Sequence, residues 1–131
     1  MPQAKPQPVV QECTYCHVEI PAADPVAAKK FFGKVFDWTF EDVPMGDSTY
    51  VIYKTRQGGV GGGIMKPPKG APKQIVNYIL VNDIEAYSAK IKKNGGKIVV
   101  PKTEIPGFGS MAHFTDPDGN HLALWTPAPR G

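Results

Sequence analysis

The chain repeats itself at a shift of about sixty residues, and this repeat constrains its fold more than any other feature. In the overlay, Asp24 aligns with Asp83 and Gly59 with Gly119. Each half has the pattern of a strand, a helix capped by aspartate and three further strands. One such half cannot bury both its helix and the second face of its sheet, so two copies should share a core or cleft. The sequence therefore predicts an α+β fold of two βαβββ modules whose curved mixed sheets face each other around a cleft.

Joints rich in proline and glycine set the predicted boundaries. Module one spans about residues 13–67, a linker follows at about 68–74, and module two spans about 75–127. The proline-rich residues 1–12 have no periodicity and are predicted to form a flexible tail. We expect residues 13–131 to form one domain.

Composition and charge limit the classes of partner. The chain has 131 residues, of which 41% are hydrophobic and 21% charged, as in an ordinary soluble domain. Its net charge of +3 is scattered and forms no basic stripe, which argues against nucleic acid. No apolar run approaches the roughly 20 residues that cross a bilayer, and the N-terminal residues lack an apolar signal core. We therefore expect a cytoplasmic protein whose partner is a small molecule, with no membrane or nucleic-acid partner.

Four segments carry a resemblance to a known family. They are HVEIPAADPVAAKKFFGKVFDW, VGGGIM, VNDIEAYSAKIKKNGGKIVVPKTEIPG and DPDGNHLALW. Together they resemble the glyoxalase, bleomycin-resistance and extradiol-dioxygenase superfamily, the vicinal oxygen chelate fold, from about Cys16 to Pro127. The resemblance implies a homodimer. It does not fix an activity, because one fold supports unrelated functions and the site decides between them.

The resemblance also implies where a metal would bind. Metal-dependent members hold a divalent ion with a histidine and a glutamate from module one and with two equivalent ligands from module two. His17 fits the first position, whereas the other three positions are Gly63, Val76 and Ala123, which offer no ligand. The sequence therefore predicts that most of the family metal site is lost and that no cofactor is resident. A divalent metal in a site rebuilt from His17, Glu19 and His113 is the alternative.

Small residues at the ligand positions leave space for a pocket. The residues predicted to line it are largely apolar or aromatic: Tyr53, Gly63, Met65, Val76, Tyr78, Phe108, Met111, His113, Ala123 and Trp125. The repeat makes Tyr53 and His113 equivalent positions, and Phe108, between two glycines, is predicted to be a mobile lid element. The competing interpretation is that these side chains fill the cleft as core.

Two functions follow from these residues. The first is a small-molecule-binding protein of the bleomycin-resistance type that sequesters or senses an apolar or aromatic compound. The second is an enzyme, namely a lyase, isomerase or dioxygenase with a rebuilt metal site, or a metal-free catalyst that uses His17 and Glu19 as acid and base. Glyoxalase I activity itself is not expected, because the glutamates that would hold the ion are missing.

The segment CTYCH at residues 13–17 matches the Cys-x-x-Cys-His pattern of c-type haem attachment. A five-residue pattern is a weak signal, and this one runs into a predicted strand. Its histidine is also the residue that the family resemblance assigns to the metal site. We therefore expect Cys13 and Cys16 to be reduced thiols.

Overall fold

The structure is a computed structural model that describes residues 12–71 and 73–129. The predicted tail lies outside the described residues except for Glu12. Within them the elements follow in chain order: β1 (Tyr15–Pro21), α1 (Pro25–Phe36), β2 (Thr39–Met45), β3 (Ser48–Lys54), β4 (Gly62–Met65), β5 (Val76–Leu80), α2 (Ile84–Lys93), β6 (Lys97–Ile105), β7 (Gly109–Thr115) and β8 (His121–Pro127). The predicted α+β fold with a repeated βαβββ order is confirmed. With 12 and 10 residues, the two helices of the described chain are too short to span a membrane.

The described chain divides into two compact units. The first unit is Tyr15–Asn77, and the second begins at Tyr78 and includes the described residues that precede Tyr15. The division falls inside β5, between Asn77 and Tyr78. The domain boundaries and the shared cleft expected from the sequence stay predictions.

In the first unit, α1 covers one face of a four-stranded sheet with the order β2-β3-β4-β1. Strands β1 and β4 are parallel, and the other neighbours are antiparallel. Asp24 caps α1 by accepting bonds of 3.2 Å from the backbone N–H groups of Val26 and Ala27. Val51, Tyr53 and Ile64 form the buried core against the helix, together with Phe32 and other apolar residues.

In the second unit, α2 packs on a sheet with the order β5-β8-β7-β6, in which β5 and β8 are parallel. Asp83 caps α2 through the N–H of Ala86 at 3.1 Å. Strand β6 runs past Pro101 to Ile105, farther than the predicted end at Pro101. Its register with β7 is irregular between Ile98 and Thr103, as expected where a proline cannot donate to the ladder.

Strand registers decide which residues share a face, and they correct one predicted equivalence. Gly63 pairs with Ile52, and the equivalent Ala123 pairs with His113. The residue equivalent to His113 is therefore Ile52, and the prediction that it is Tyr53 is wrong. Ten residues lie between the paired Ile52 and Gly63, whereas nine lie between the paired His113 and Ala123. This difference of one residue moves a side chain to the other face. Tyr53 lies on the helix side of its sheet, where it is 3% exposed.

Candidate functional site

A hydrogen-bonded cluster of three side chains lies on the sheet of the first unit. His17 and Glu19 are two residues apart on β1, so their side chains share a face. Tyr50 on β3 reaches both of them, because its hydroxyl donates to Glu19 Oε2 at 3.1 Å and lies 2.9 Å from His17 Nε2. His17 Nε2 and Glu19 Oε2 are 3.9 Å apart. The structure thus brings together the two predicted acid/base residues and adds Tyr50, which the sequence reasoning missed.

The hydrogen bonds in this cluster have one direction. A tyrosine hydroxyl carries one proton, and Tyr50 donates it to Glu19. The imidazole of His17 must then donate its Nε2–H to the Tyr50 oxygen, which places the histidine proton on Nε2. Burial lowers the pKa of His17 and favours the neutral ring. The cluster is therefore a directed chain from His17 through Tyr50 to Glu19.

Gly63, where metal-dependent relatives are expected to carry a glutamate, has no room for a side chain. It pairs with Glu19 on β1 and Ile52 on β3, so its α-carbon lies under the same face as the cluster. A Cβ built on Gly63 would collide with the hydroxyl and ring of Tyr50. Tyr50 therefore occupies the place that a ligand side chain at position 63 would need.

A second polar cluster lies in the second unit, around Ala123. His113 pairs with Ala123 across β7 and β8, and Ala123 is fully buried. His113 Nδ1 lies 2.7 Å from His121 Nε2, and its Nε2 lies 3.4 Å from the hydroxyl of Tyr78. Burial and the neighbouring His121 lower the pKa of His113 to about 4, so its ring is neutral near pH 7.

The other residues predicted to line a pocket lie in different surroundings. Tyr53 stacks on Trp38 with 4.8 Å between ring centroids and donates its hydroxyl to Val18 O at 2.8 Å. Burial, with a smaller effect of the Glu19 charge, raises the pKa of Tyr53 to about 12. This tyrosine is therefore a packed, hydrogen-bonded core residue.

The remaining predicted residues are spread over four places. Met65 ends β4, and Val76 is buried at the start of β5. Met111 and Trp125 are partners across β7 and β8. Phe108 is half exposed beside a tight turn, in which its N–H donates to Ile105 O at 2.9 Å. Its role as a lid stays a prediction.

Two surface hollows are lined by residues other than those of the two polar clusters. One of about 490 Å³ is beside the start of α1, between Asp24, Asp47 and Lys66. The other, of about 250 Å³, lies beside Glu104 and Ser110. None of the residues predicted to line the pocket lines either hollow. The predicted apolar pocket therefore stays a prediction.

The CTYCH segment is divided between different surroundings. Cys13 and Cys16 are thiols, and burial raises the pKa of Cys16. Cys13 is exposed, and its Sγ lies 3.3 Å from the hydroxyl of Tyr87. The histidine of the motif, His17, is bonded to Tyr50.

The donor groups that are present do not fit the expected four-ligand metal site. Among residues 12–71 and 73–129, no three His, Cys, Asp or Glu side chains are grouped to hold a metal ion. In the first unit, the facing atoms of His17 and Glu19 are already bonded to the Tyr50 hydroxyl. In the second unit, the facing nitrogens of His113 and His121 are bonded to each other. The octahedral or tetrahedral donor shell that a divalent ion requires is not offered by these residues.

Sequence comparison places the chain in a family. The pattern of the Glyoxalase/Bleomycin resistance protein/Dioxygenase superfamily matches residues 14–124. The chain belongs to this superfamily. Among superfamily relatives, "Putative glyoxylase CFP32" of Mycobacterium tuberculosis is 34% identical over 114 residues, which cover 82% of this chain and 43% of that protein. The chain thus spans less than half the length of this relative.

Two further comparisons cover most of both partners. A "Glyoxylase-like domain-containing protein" of Didymella fabae is 30% identical over 115 residues, which are 83% of this chain and 90% of that protein. The crystal structure of methylmalonyl-CoA epimerase from Mycobacterium tuberculosis superposes with a TM-score of 0.71 and covers 94% of each chain at 16% identity. At that identity the superposition shows a shared fold and no more.

Proposed function

We propose that this chain is a small-molecule-binding member of the superfamily that works without the four-ligand metal site. Its ligand is an apolar or aromatic compound, which the protein sequesters or senses. The observation that carries the proposal is the placement of Tyr50 over Gly63, because this side chain fills the position of an expected metal ligand. Val76 and Ala123 support it, since neither side chain can bind a metal.

The polar side chains beside Gly63 are hydrogen-bonded to one another, which suits recognition of a compound with one or two polar substituents. Small-molecule sites combine a largely apolar lining with a few fixed polar groups that orient the ligand. The chain from His17 through Tyr50 to Glu19 holds three polar side chains at fixed positions. The names of the relatives give no ligand for this chain, and the longer CFP32 has more than half of its length outside the match.

The test combines elemental analysis with native mass spectrometry of the full chain, purified without chelators or a metal-binding tag. We expect zinc, nickel, manganese and iron each far below one equivalent, and a co-purifying organic ligand in the native spectrum. One equivalent of any of these metals, lost in a His17→Ala variant, would overturn the proposal. Lys102→Ala, on the exposed part of β6, is the matched control for surface substitution.

A metal-free acid/base catalyst is the second candidate function, and the directed cluster favours it. His17 is held neutral by burial and is oriented by Tyr50, which are the properties of a positioned general base. The co-purified ligand, returned to the protein in D₂O, would then exchange a carbon-bound proton, as followed by NMR. His17→Ala should abolish this exchange while ligand binding persists. A ligand that binds but exchanges no proton with the wild-type protein would exclude this function.

We also propose that the chain forms a homodimer in the cytoplasm. The dimer rests on the family resemblance, and the cytoplasmic location rests on the sequence, in which no apolar run approaches the roughly 20 residues that cross a bilayer. Light scattering coupled to size exclusion should give twice the chain mass of 14.2 kDa. A monomer mass at micromolar concentration would contradict the dimer.

A further inference from the structure

Tyr78, His113 and His121 form a continuous line of polar side chains in the second unit. Tyr78 lies on β5, His113 on β7 and His121 at the start of β8. The hydroxyl of Tyr78 is 3.4 Å from His113 Nε2, and His113 Nδ1 is 2.7 Å from His121 Nε2. The first contact is long for a hydrogen bond and is the weaker of the two.

The geometry of the two imidazoles indicates a shared proton and argues against a metal. Their ring centroids are 5.0 Å apart, which is close to the 2.7 Å between the nitrogens plus the two ring radii. The two rings therefore point at each other along the line between their nitrogens. A chelated ion needs both lone pairs to converge on a point away from that line. The collinear arrangement is that of an N–H donor facing a nitrogen acceptor.

A neutral His113 couples the two hydrogen bonds of the line. Its pKa of about 4 leaves one proton on the ring near neutral pH. If that proton is on Nδ1, His113 donates to His121 and accepts from Tyr78; if it is on Nε2, both bonds reverse. The line therefore has two states that differ in the direction of every bond.

The strand partners of His113 within the described residues carry no charge. Its partner on β6 is Val100, which is apolar, and its partner on β8 is Ala123. Two titratable side chains that contact it are Tyr78 on β5 and His121 on β8.

We propose that Tyr78, His113 and His121 form a proton relay, in which Tyr78 exchanges a proton with an ionisable oxygen of a bound ligand, such as an enol or a phenol. When Tyr78 protonates the ligand oxygen, its O–H bond breaks and the Nε2 proton of His113 moves to the Tyr78 oxygen. His113 Nδ1 then takes the Nε2 proton of His121, and His121 is reprotonated on Nδ1 by water. The net result is transfer of one proton from solvent to the ligand, and it switches the line from one state to the other. The reverse sequence removes a proton from the ligand.

The involvement of a ligand rests on the proposed binding function, but the switch between states does not. It is testable in the ligand-free full chain by two-bond ¹⁵N–¹H correlation NMR, which reports which imidazole nitrogen carries the proton. For the wild type at pH 7.5, we expect both His113 nitrogens at shifts between the values of the two pure tautomers. A failure of the binding proposal would leave this spectrum unchanged.

Two variants should move the His113 shifts in opposite directions. A ring nitrogen that lacks a hydrogen-bond partner costs less free energy than an N–H group that lacks one. Each variant should therefore leave the proton of His113 on the ring nitrogen that keeps its partner. Tyr78→Phe should therefore place it on Nδ1, and His121→Phe should place it on Nε2. Tyr87→Phe, which removes a tyrosine hydroxyl from the same unit, is the matched control and should change nothing.

Two results would overturn the relay. The first is a wild-type His113 in one pure tautomer that stays the same in both variants, since this would show a fixed structural bond. The second is binding of one equivalent of Ni²⁺ that shifts both rings and is lost in His121→Phe, since this would make the pair a metal site. Because the two variants act at opposite ends of the line, either one that folds is sufficient for the comparison.

Discussion

Replacing Gly63 by alanine should destabilise the protein through its collision with Tyr50. The new Cβ would overlap the hydroxyl and ring of that tyrosine, which must move. Moving it breaks a hydrogen bond to the Glu19 carboxylate, worth about 1.5–3 kcal/mol, and one to His17, worth about 1 kcal/mol. The lower entropy of the unfolded alanine chain returns about 0.4–1 kcal/mol. We therefore expect the free energy of unfolding to fall by about 2–3 kcal/mol.

The cause of this loss can be isolated by changing Tyr50 as well. In a Tyr50→Ala background the colliding ring is absent, so Gly63→Ala should cost less than about 0.5 kcal/mol. Tyr50→Phe should relieve only part of the cost, because the ring atoms Cζ and Cε2, which also collide with the built Cβ, remain. Gly62→Ala is the matched control: its Cβ would collide with the Val18 carbonyl, so its cost should be the same in every Tyr50 background.

Urea unfolding followed by tryptophan fluorescence measures these differences, since Trp38 is stacked in the core of the same unit. A cost of Gly63→Ala that is below about 0.5 kcal/mol in the wild type would refute the placement of Tyr50. An equal cost with and without the Tyr50 ring would refute the collision as the cause.

Three further predictions concern other parts of the chain. Between pH 6.5 and 4 the unfolded chain binds a proton that the folded His113 does not, so the free energy of unfolding should decrease as the pH is lowered through this range. The shift from 6.5 to about 4 is equivalent to ~3.4 kcal/mol at most, which solvent screening reduces to about 1–2 kcal/mol. Urea melts of His113→Gln should show a weaker dependence on pH, of which the contribution of His17 remains. Asp24→Ala should cost about 1 kcal/mol in thermal or urea unfolding because two N–H groups of α1 lose their acceptor, whereas Asp24→Asn should retain most of the stability. Tyr53→Phe should cost about 1 kcal/mol through the lost bond to Val18 O, with near-ultraviolet circular dichroism unchanged because the stacking on Trp38 remains.

The order of the elements was predictable from the sequence because local signals mark each one. Asp24 and Asp83 predict where the two helices start, because aspartate is a favoured N-cap residue. Alternation of apolar residues predicts most of the strands. The sequence predicts too short a strand β6, because a proline such as Pro101 usually marks the end of a strand. In the structure the strand continues past Pro101 with an irregular register. Local sequence carries no information on such tertiary accommodation.

The site was less predictable because it depends on register. The family resemblance identifies His17, and Glu19 is identified by its place two residues later on the same strand face. Tyr50 is hydrogen-bonded to both of them. Tyr50 is separated from them by more than thirty positions, and only the pairing of Gly63 with Ile52 shows that its strand presents it to the same face. A repeat shift read from sequence cannot detect one extra residue in a connection, and that residue decides whether Ile52 or Tyr53 corresponds to His113.

The overlap between Tyr50 and position 63 also affects how this chain can evolve. A single substitution of Gly63 by glutamate would meet the ring before it could gain any ligand function, so the change is selected against on stability alone. The order of substitutions matters: Tyr50 must become small before position 63 can become large. The two positions are therefore epistatic: whether a large side chain at position 63 is tolerated depends on the residue at position 50. A library that varies both positions together would therefore reach sequences that stepwise mutagenesis of either position alone does not.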